Sequence, residues 1–66
     1  MKIVLNGDEK EVGAATSLAQ LLDTAGYAQR RIAVEVNREI VPRSQYGARM
    51  LDAGDRVEIV HAIGGG

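Results

Sequence analysis

The sequence has no cysteine and only one histidine, His61, among its 66 residues. Without cysteine the fold can contain neither a disulfide nor a thiolate metal site, and one histidine excludes a site built from several imidazoles. No metal site is therefore expected. The lack of cysteine is also compatible with a reducing compartment.

The sequence also lacks an apolar run long enough to cross a bilayer, and its start has no long apolar region of the secretory type. Eight basic and nine acidic residues are spread along the chain and give a net charge of −1. Such a balance provides no basic surface for nucleic acid or an anionic membrane. We therefore expect a cytoplasmic protein with neither of these partners.

The chain has little material for a catalytic cleft. A domain of this length buries only ~60% of the surface that the unfolded chain exposes. Enclosing a substrate pocket of the usual several hundred Å³ would compete with the core for the same side chains. We therefore expect a single domain that is not an enzyme.

Hydrophobic periodicity predicts five strands and one helix. Ser17 followed by Gln20 fits a capping box, and Gly26 fits the end of a helix of about two and a half turns. This order predicts an α+β fold in which one helix crosses one face of a mixed five-stranded sheet. The predicted strands are Lys2–Asn6, Glu9–Val12, Ile32–Val36, Glu39–Val41 and a last strand that starts at Val57. Asn6 with Gly7, and Asn37 with Arg38, are the predicted turns between these strands.

The last strand runs into three glycines, Gly64, Gly65 and Gly66. Glycine has no side chain to pack and little restriction on φ, so this end can be extended and thin enough to enter a narrow cleft. We therefore expect a folded domain over residues 1–63 and a flexible tail over residues 64–66. The reactive group of that tail would be the carboxylate of Gly66.

Strand alternation predicts which side chains of the last strand are exposed. Val57, Ile59 and His61 share the core side, whereas Glu58, Val60 and Ala62 face away from the helix. If the first and last strands are neighbours, Val4, Val60 and Ala62 form an apolar patch that can dock a partner. Isolated surface valines that simply favour strands are the alternative.

Two further features have ordinary structural explanations. Pro42 ends the fourth strand because it has no N–H for the ladder. His61 has no second polar group beside it in the sequence, so we assign it no chemistry.

Four blocks of this sequence resemble the ThiS family, the sulfur-carrier proteins of thiamine biosynthesis, which have the ubiquitin-like β-grasp fold. The similarity covers nearly the whole chain. It is carried by Lys2–Gly7 (KIVLNG), Ser17–Leu22 (SLAQLL), Val36–Arg43 (VNREIVPR) and Leu51–Val60 (LDAGDRVEIV), followed by Gly65–Gly66. The resemblance implies that the first and last strands lie side by side at the centre of the sheet.

The resemblance also implies a role for the chain end. A ThiF-like adenylyltransferase would use ATP to adenylate the carboxylate of Gly66, while Gly64 and Gly65 enter its active site. A sulfur donor, which the sequence does not identify, would then displace AMP. The resulting thiocarboxylate would be consumed by a ThiG-like thiazole synthase. The chain itself would have no catalytic residue and no bound cofactor. The resemblance also makes Pro42 and Arg43 candidate partner contacts, although the end of a strand explains Pro42 equally well.

Three alternatives remain open from the sequence. The small subunit of molybdopterin synthase also ends in Gly-Gly, although such proteins tend to have prolines before the tail. A covalent protein modifier would need an acceptor amine. A non-covalent β-grasp interaction domain would make the glycines dispensable and would favour a basic face, which this sequence lacks.

Overall fold

The computed structural model describes residues 1–61. The elements in chain order are β1 (Lys2–Leu5), β2 (Asp8–Glu11), α1 (Leu18–Thr24), β3 (Ile32–Val36), β4 (Glu39–Ile40), a 3₁₀ helix (Arg43–Gln45) and β5 (Arg56–His61). The predicted boundary between residues 63 and 64 lies outside the described residues. Within residues 1–61 no helix is long and apolar enough to cross a membrane.

The five strands form one mixed sheet in the order β2-β1-β5-β3-β4. β1 and β5 are parallel neighbours, whereas β5 pairs with β3 in antiparallel register from Ile32↔His61 to Val36↔Val57. The predicted α+β fold, with the first and last strands side by side at the centre of the sheet, is confirmed. β5 is therefore hydrogen-bonded on both sides over part of its length.

Two tight turns build the hairpins of this sheet. Asn6 and Gly7 join β1 to β2 with φ values of 50° and 88°, and Asn37 and Arg38 join β3 to β4 with 52° and 70°. Positive φ at both central residues is the backbone of a type I′ turn, whose twist matches that of the flanking strands. Both predicted turns are confirmed, although Arg38 is an uncommon residue at such a φ.

The helix begins as the sequence predicts. The Ser17 hydroxyl accepts from the Gln20 N–H at 3.1 Å, and the Gln20 side chain accepts from the Ser17 N–H at 2.8 Å, which completes the capping box. α1 is seven residues long, or about two turns at 3.6 residues per turn. It is shorter than predicted because the chain leaves the helix at Ala25, before Gly26 with φ of 87°.

The core lies between α1 and one face of the sheet. Its buried hydrophobic residues are Ile3, Leu18, Leu21, Leu22, Val34, Val36, Val41, Leu51, Val57 and Ile59. Tyr46 packs against this core. β2 begins one residue earlier than predicted, and β4 ends one residue earlier. In β4 the reason is that Val41 turns into the core and continues the pairing through one hydrogen bond to Val34.

Candidate functional site

The candidate site is the end of β5, because this strand leads to the glycines. Val57 and Ile59 are buried, whereas Val60 is 61% exposed. The predicted assignment of the two faces of the strand is therefore confirmed. His61 is the last described residue, and Gly64, Gly65 and Gly66 lie outside the described residues.

The start of β5 is fixed by Asn37 and Asp55. The buried Asp55 carboxylate accepts from the Asn37 side-chain amide at 2.9 Å and from the Asp52 N–H at 2.8 Å. The side-chain oxygen of Asn37 accepts from the Arg56 N–H at 2.9 Å. Hydrogen bonds to a carboxylate are stronger than neutral ones, so this network fixes where the strand enters the sheet.

The far part of β5 is held by Asn6, which we had predicted only as a turn residue. Its backbone N–H donates to the Val57 carbonyl at 2.9 Å, and its side-chain oxygen accepts from the Ile59 N–H at 2.7 Å. β1 has by then turned away, so this side chain replaces the backbone carbonyl that a longer strand would supply. No local sequence signal identifies this contact, because the two residues are 53 positions apart.

His61 contacts Tyr27, which follows the end of α1. The ring centroids are 5.9 Å apart and the rings are tilted by 42°. Tyr27 also packs against the core. The contact therefore links the last residue of β5 to the helix side of the sheet, and it gives His61 a structural partner that the sequence does not indicate.

The face of the sheet opposite α1 carries the predicted docking residues. Val4 and Val60 line one shallow groove of about 380 Å³, together with Arg56 and Glu58. Because Val4 pairs with Arg56, the two valines are separated along β5 by roughly 13 Å at 3.3 Å per residue. The described part of the predicted patch is thus two apolar positions with charged residues between them, and Ala62 lies outside the described residues.

Pro42 and Arg43 lie on the other side of the sheet. Arg43 lines a small cavity of about 140 Å³ with Ile32 and Tyr27, next to the helix. Ile32 pairs with His61, so this cavity is also close to the end of β5. The two predicted docking surfaces therefore flank the end of β5 from opposite faces.

On the face of the sheet opposite α1, which we call the open face, the charged side chains are mostly acidic. Glu35 and Glu58 are directly opposite each other in the β3–β5 pairing. Like charges in that relation disfavour the sheet. Among residues 1–61 there is no group of three or more His, Asp or Glu side chains placed to hold a metal ion.

A mixed sheet with parallel terminal strands at its centre and a helix across one face defines a ubiquitin-like β-grasp protein. The ThiS family model matches residues 3–66. The chain belongs to the ThiS family. The resemblance inferred from the four sequence blocks is therefore confirmed.

Relatives and solved structures agree with this assignment. The chain is 29% identical to the sulfur carrier protein ThiS of Escherichia coli over the full length of both. It is 47% identical to a thiazole synthase of Magnetococcus marinus and 46% identical to one of Paramagnetospirillum magneticum, and it spans only 20% of the length of each. The crystal structure of a ThiS protein from Geobacter metallireducens is 30% identical, covers both chains fully and superposes with a TM-score of 0.87.

Proposed function

We propose that this chain carries sulfur as a thiocarboxylate on Gly66 for thiazole formation. The observation that carries the proposal is the ThiS family match over residues 3–66, which includes the glycines. The fixed position of β5 supports it, because Asn6, Asn37 and Asp55 hold the strand that leads to those glycines. The family assignment favours the thiamine pathway over the molybdopterin alternative.

The proposed chemistry begins with activation of a poor electrophile. A carboxylate oxygen of Gly66 attacks the α-phosphorus of ATP on an adenylyltransferase, which forms an acyl adenylate and releases pyrophosphate. A hydrosulfide equivalent from a sulfur donor then attacks the acyl carbon, and AMP leaves. The product is a C-terminal thiocarboxylate. Glycine at positions 64–66 lets the backbone approach the nucleotide without a side chain in the way.

In this proposal the chain is a co-substrate and has no catalytic residue of its own. ATP is bound by the adenylyltransferase, and no cofactor is assigned to this chain. The folded domain would position β5, the strand that precedes the glycines in the sequence. His61, at the end of this strand, contacts Tyr27 on the helix side of the sheet.

The proposed sulfur acceptor is a thiazole synthase. Its support is that two thiazole synthases each contain a region 46–47% identical to the whole of this chain. A carrier and its synthase that occur in one polypeptide must work together at close range. We therefore propose that this chain delivers its thiocarboxylate to a thiazole synthase by direct contact.

Intact-mass spectrometry tests the proposed chemistry. After incubation with the adenylyltransferase, ATP and a sulfur donor, the mass is expected to rise by the difference between sulfur and oxygen. Omission of ATP is the matched control and should leave the mass unchanged. An unchanged mass in the complete reaction, with an adenylyltransferase that modifies another ThiS protein under the same conditions, would contradict the proposal.

Docking on the open face of the sheet is tested by Val60→Asp. Aspartate at the exposed position of Val60 would place an unpaired charge in the interface with a partner. Burial of that charge should weaken partner binding by about 100-fold, that is, by twice the ~1.4 kcal/mol that corresponds to a factor of ten. The free energy of unfolding should change by no more than about 1 kcal/mol, mainly through lost strand propensity. Titration calorimetry and denaturant unfolding measure the two effects.

Met50→Asp is the matched control for Val60→Asp. Met50 is also apolar and 47% exposed, but it pairs with Ser17 away from the open face. Its substitution should leave partner affinity unchanged. If Val60→Asp and Met50→Asp bind equally well, the open face is not the docking surface. The cavity beside Arg43 would then be the next surface to test.

A further inference from the structure

β5 extends beyond its neighbour on one side only. β1 pairs with β5 at Val4↔Arg56 and Leu5↔Val57, and the chain then turns away at Asn6 and Gly7. On the other side β3 continues to pair with β5 as far as His61. The last residues of β5 therefore form a strand that is held on the β3 side and has no neighbouring strand on the β1 side within residues 1–61.

The direction of the backbone groups follows from the hydrogen bonds on the β1 side. The carbonyls of Asp55 and Val57 accept from Val4 and Asn6, and the Ile59 N–H donates to the Asn6 side chain. Backbone groups alternate sides along a strand, so the Ile59 carbonyl and the His61 N–H also point to the β1 side. Within residues 1–61, β1 does not reach these two groups, and the Asn6 side chain accepts only from the Ile59 N–H.

There is room for another chain at this edge. The groove of about 380 Å³ is lined along β5 by Arg56–Val60 and on the β1 side by Val4, Asn6 and Gly7, so it borders Ile59, the first residue of this edge. A Cβ added at Gly7 would meet no atom within 4 Å, so the turn leaves the space beside the end of β5 open. An extended backbone could enter there without displacing a side chain of the core.

We infer that this edge, defined by the Ile59 carbonyl and the His61 N–H, binds an extended segment of thiazole synthase as an additional parallel strand. One residue of that segment would donate its N–H to the Ile59 carbonyl, and its own carbonyl would accept from the His61 N–H. Asn6 forms the same type of paired contact one step earlier, with Val57 and Ile59. Strand addition to an exposed edge is a general mode of protein recognition.

The choice of thiazole synthase rests on the proposed function and on the relatives that contain both sequences. Gly66 is five residues beyond His61, so it can be at most about 18 Å away at 3.6 Å per residue. An enzyme that acts on Gly66 must therefore reach close to this edge. Pairing with the backbone would fix the start of the tail in register with the synthase active site.

Amide hydrogen exchange tests the edge directly. In the free protein the His61 amide should exchange rapidly, whereas the Val60 amide, on the β3 side, should already be protected. Addition of thiazole synthase should slow exchange at His61 by about 10-fold or more, as expected for a new hydrogen bond. Unchanged exchange at His61 in the saturated complex, or no complex at all, would overturn the inference.

His61→Pro and His61→Ala separate the backbone from the side chain. Both lose the contact with Tyr27, but only proline removes the N–H, and proline is tolerated where a strand N–H faces no partner. His61→Pro should bind the synthase about 10-fold more weakly than His61→Ala, with a similar unfolding midpoint. Equal affinities would overturn the inference.

These experiments use the carrier with its ordinary carboxylate, so their outcome does not depend on the result of the sulfur-transfer experiment. If wild-type protein acquires sulfur but His61 stays unprotected by the synthase, the edge inference fails and the proposed function stands. If His61 is protected but no sulfur is acquired, the edge inference stands and the proposed chemistry fails.

Discussion

Removal of Gly66 is expected to abolish sulfur transfer and to leave the folded domain unchanged. The acyl carbon that would be adenylated belongs to Gly66, and in the shortened chain the carboxylate of Gly65 would lie one residue, or about 3.6 Å, nearer the domain. A displacement of that size is large compared with the precision that reacting groups need. Thiocarboxylate formation should therefore fall below detection by intact-mass spectrometry.

The unfolding midpoint provides the control for the shortened chain. The buried hydrophobic residues of the described core lie between Ile3 and Ile59, so deletion of Gly66 removes none of them. The midpoint should match that of the full chain within error. A shortened protein that still gains sulfur, or supports growth without thiamine as well as the full chain does, would show that Gly66 is not the reactive residue.

Leu21→Ala is expected to remove a large part of the stability of the folded protein. Leu21 is 1% exposed and lies on the face of α1 that packs against the sheet. Loss of a buried leucine side chain costs about 2–5 kcal/mol through lost burial and the cavity that remains. The whole stability of a domain of this length is only about 3–10 kcal/mol at the usual range per residue.

Denaturant unfolding measures this effect, and Ile40→Ala is its control. The change of Ile40 to alanine removes the same number of carbon atoms as the change of Leu21 to alanine. Ile40, however, is 74% exposed on the edge strand β4. Its substitution should cost less than about 1 kcal/mol. Equal losses of unfolding free energy in the two variants would mean that α1 contributes little to the core.

Local sequence signals predicted most of the fold. Ser17 and Gln20 marked the start of the helix because a capping box uses only contacts within one turn. Asn6 and Gly7 marked a hairpin because few residues tolerate positive φ. The alternation of Val57, Ile59 and Val60 assigned the faces of β5, since side chains along a strand alternate with a period of two.

Element ends were less predictable, because they depend on contacts made elsewhere in the chain. Val41 was predicted to lie in β4, yet it turns into the core with a single hydrogen bond to Val34. The helix was predicted to be longer because Gly26 marks its stop, whereas Ala25 already serves as the cap. For Val41, packing in the core decided where the strand ends.

The sequence by itself determined the β-grasp architecture, the two faces of β5 and the family. Only the tertiary structure showed that Asn6 holds Ile59, that Tyr27 contacts His61, and that Val4 and Val60 share a groove with charges between them. The physical reason is sequence separation. Caps, turns and alternation arise from neighbours along the chain, whereas the site is assembled where β1 turns away from β5, a geometry that no single segment encodes.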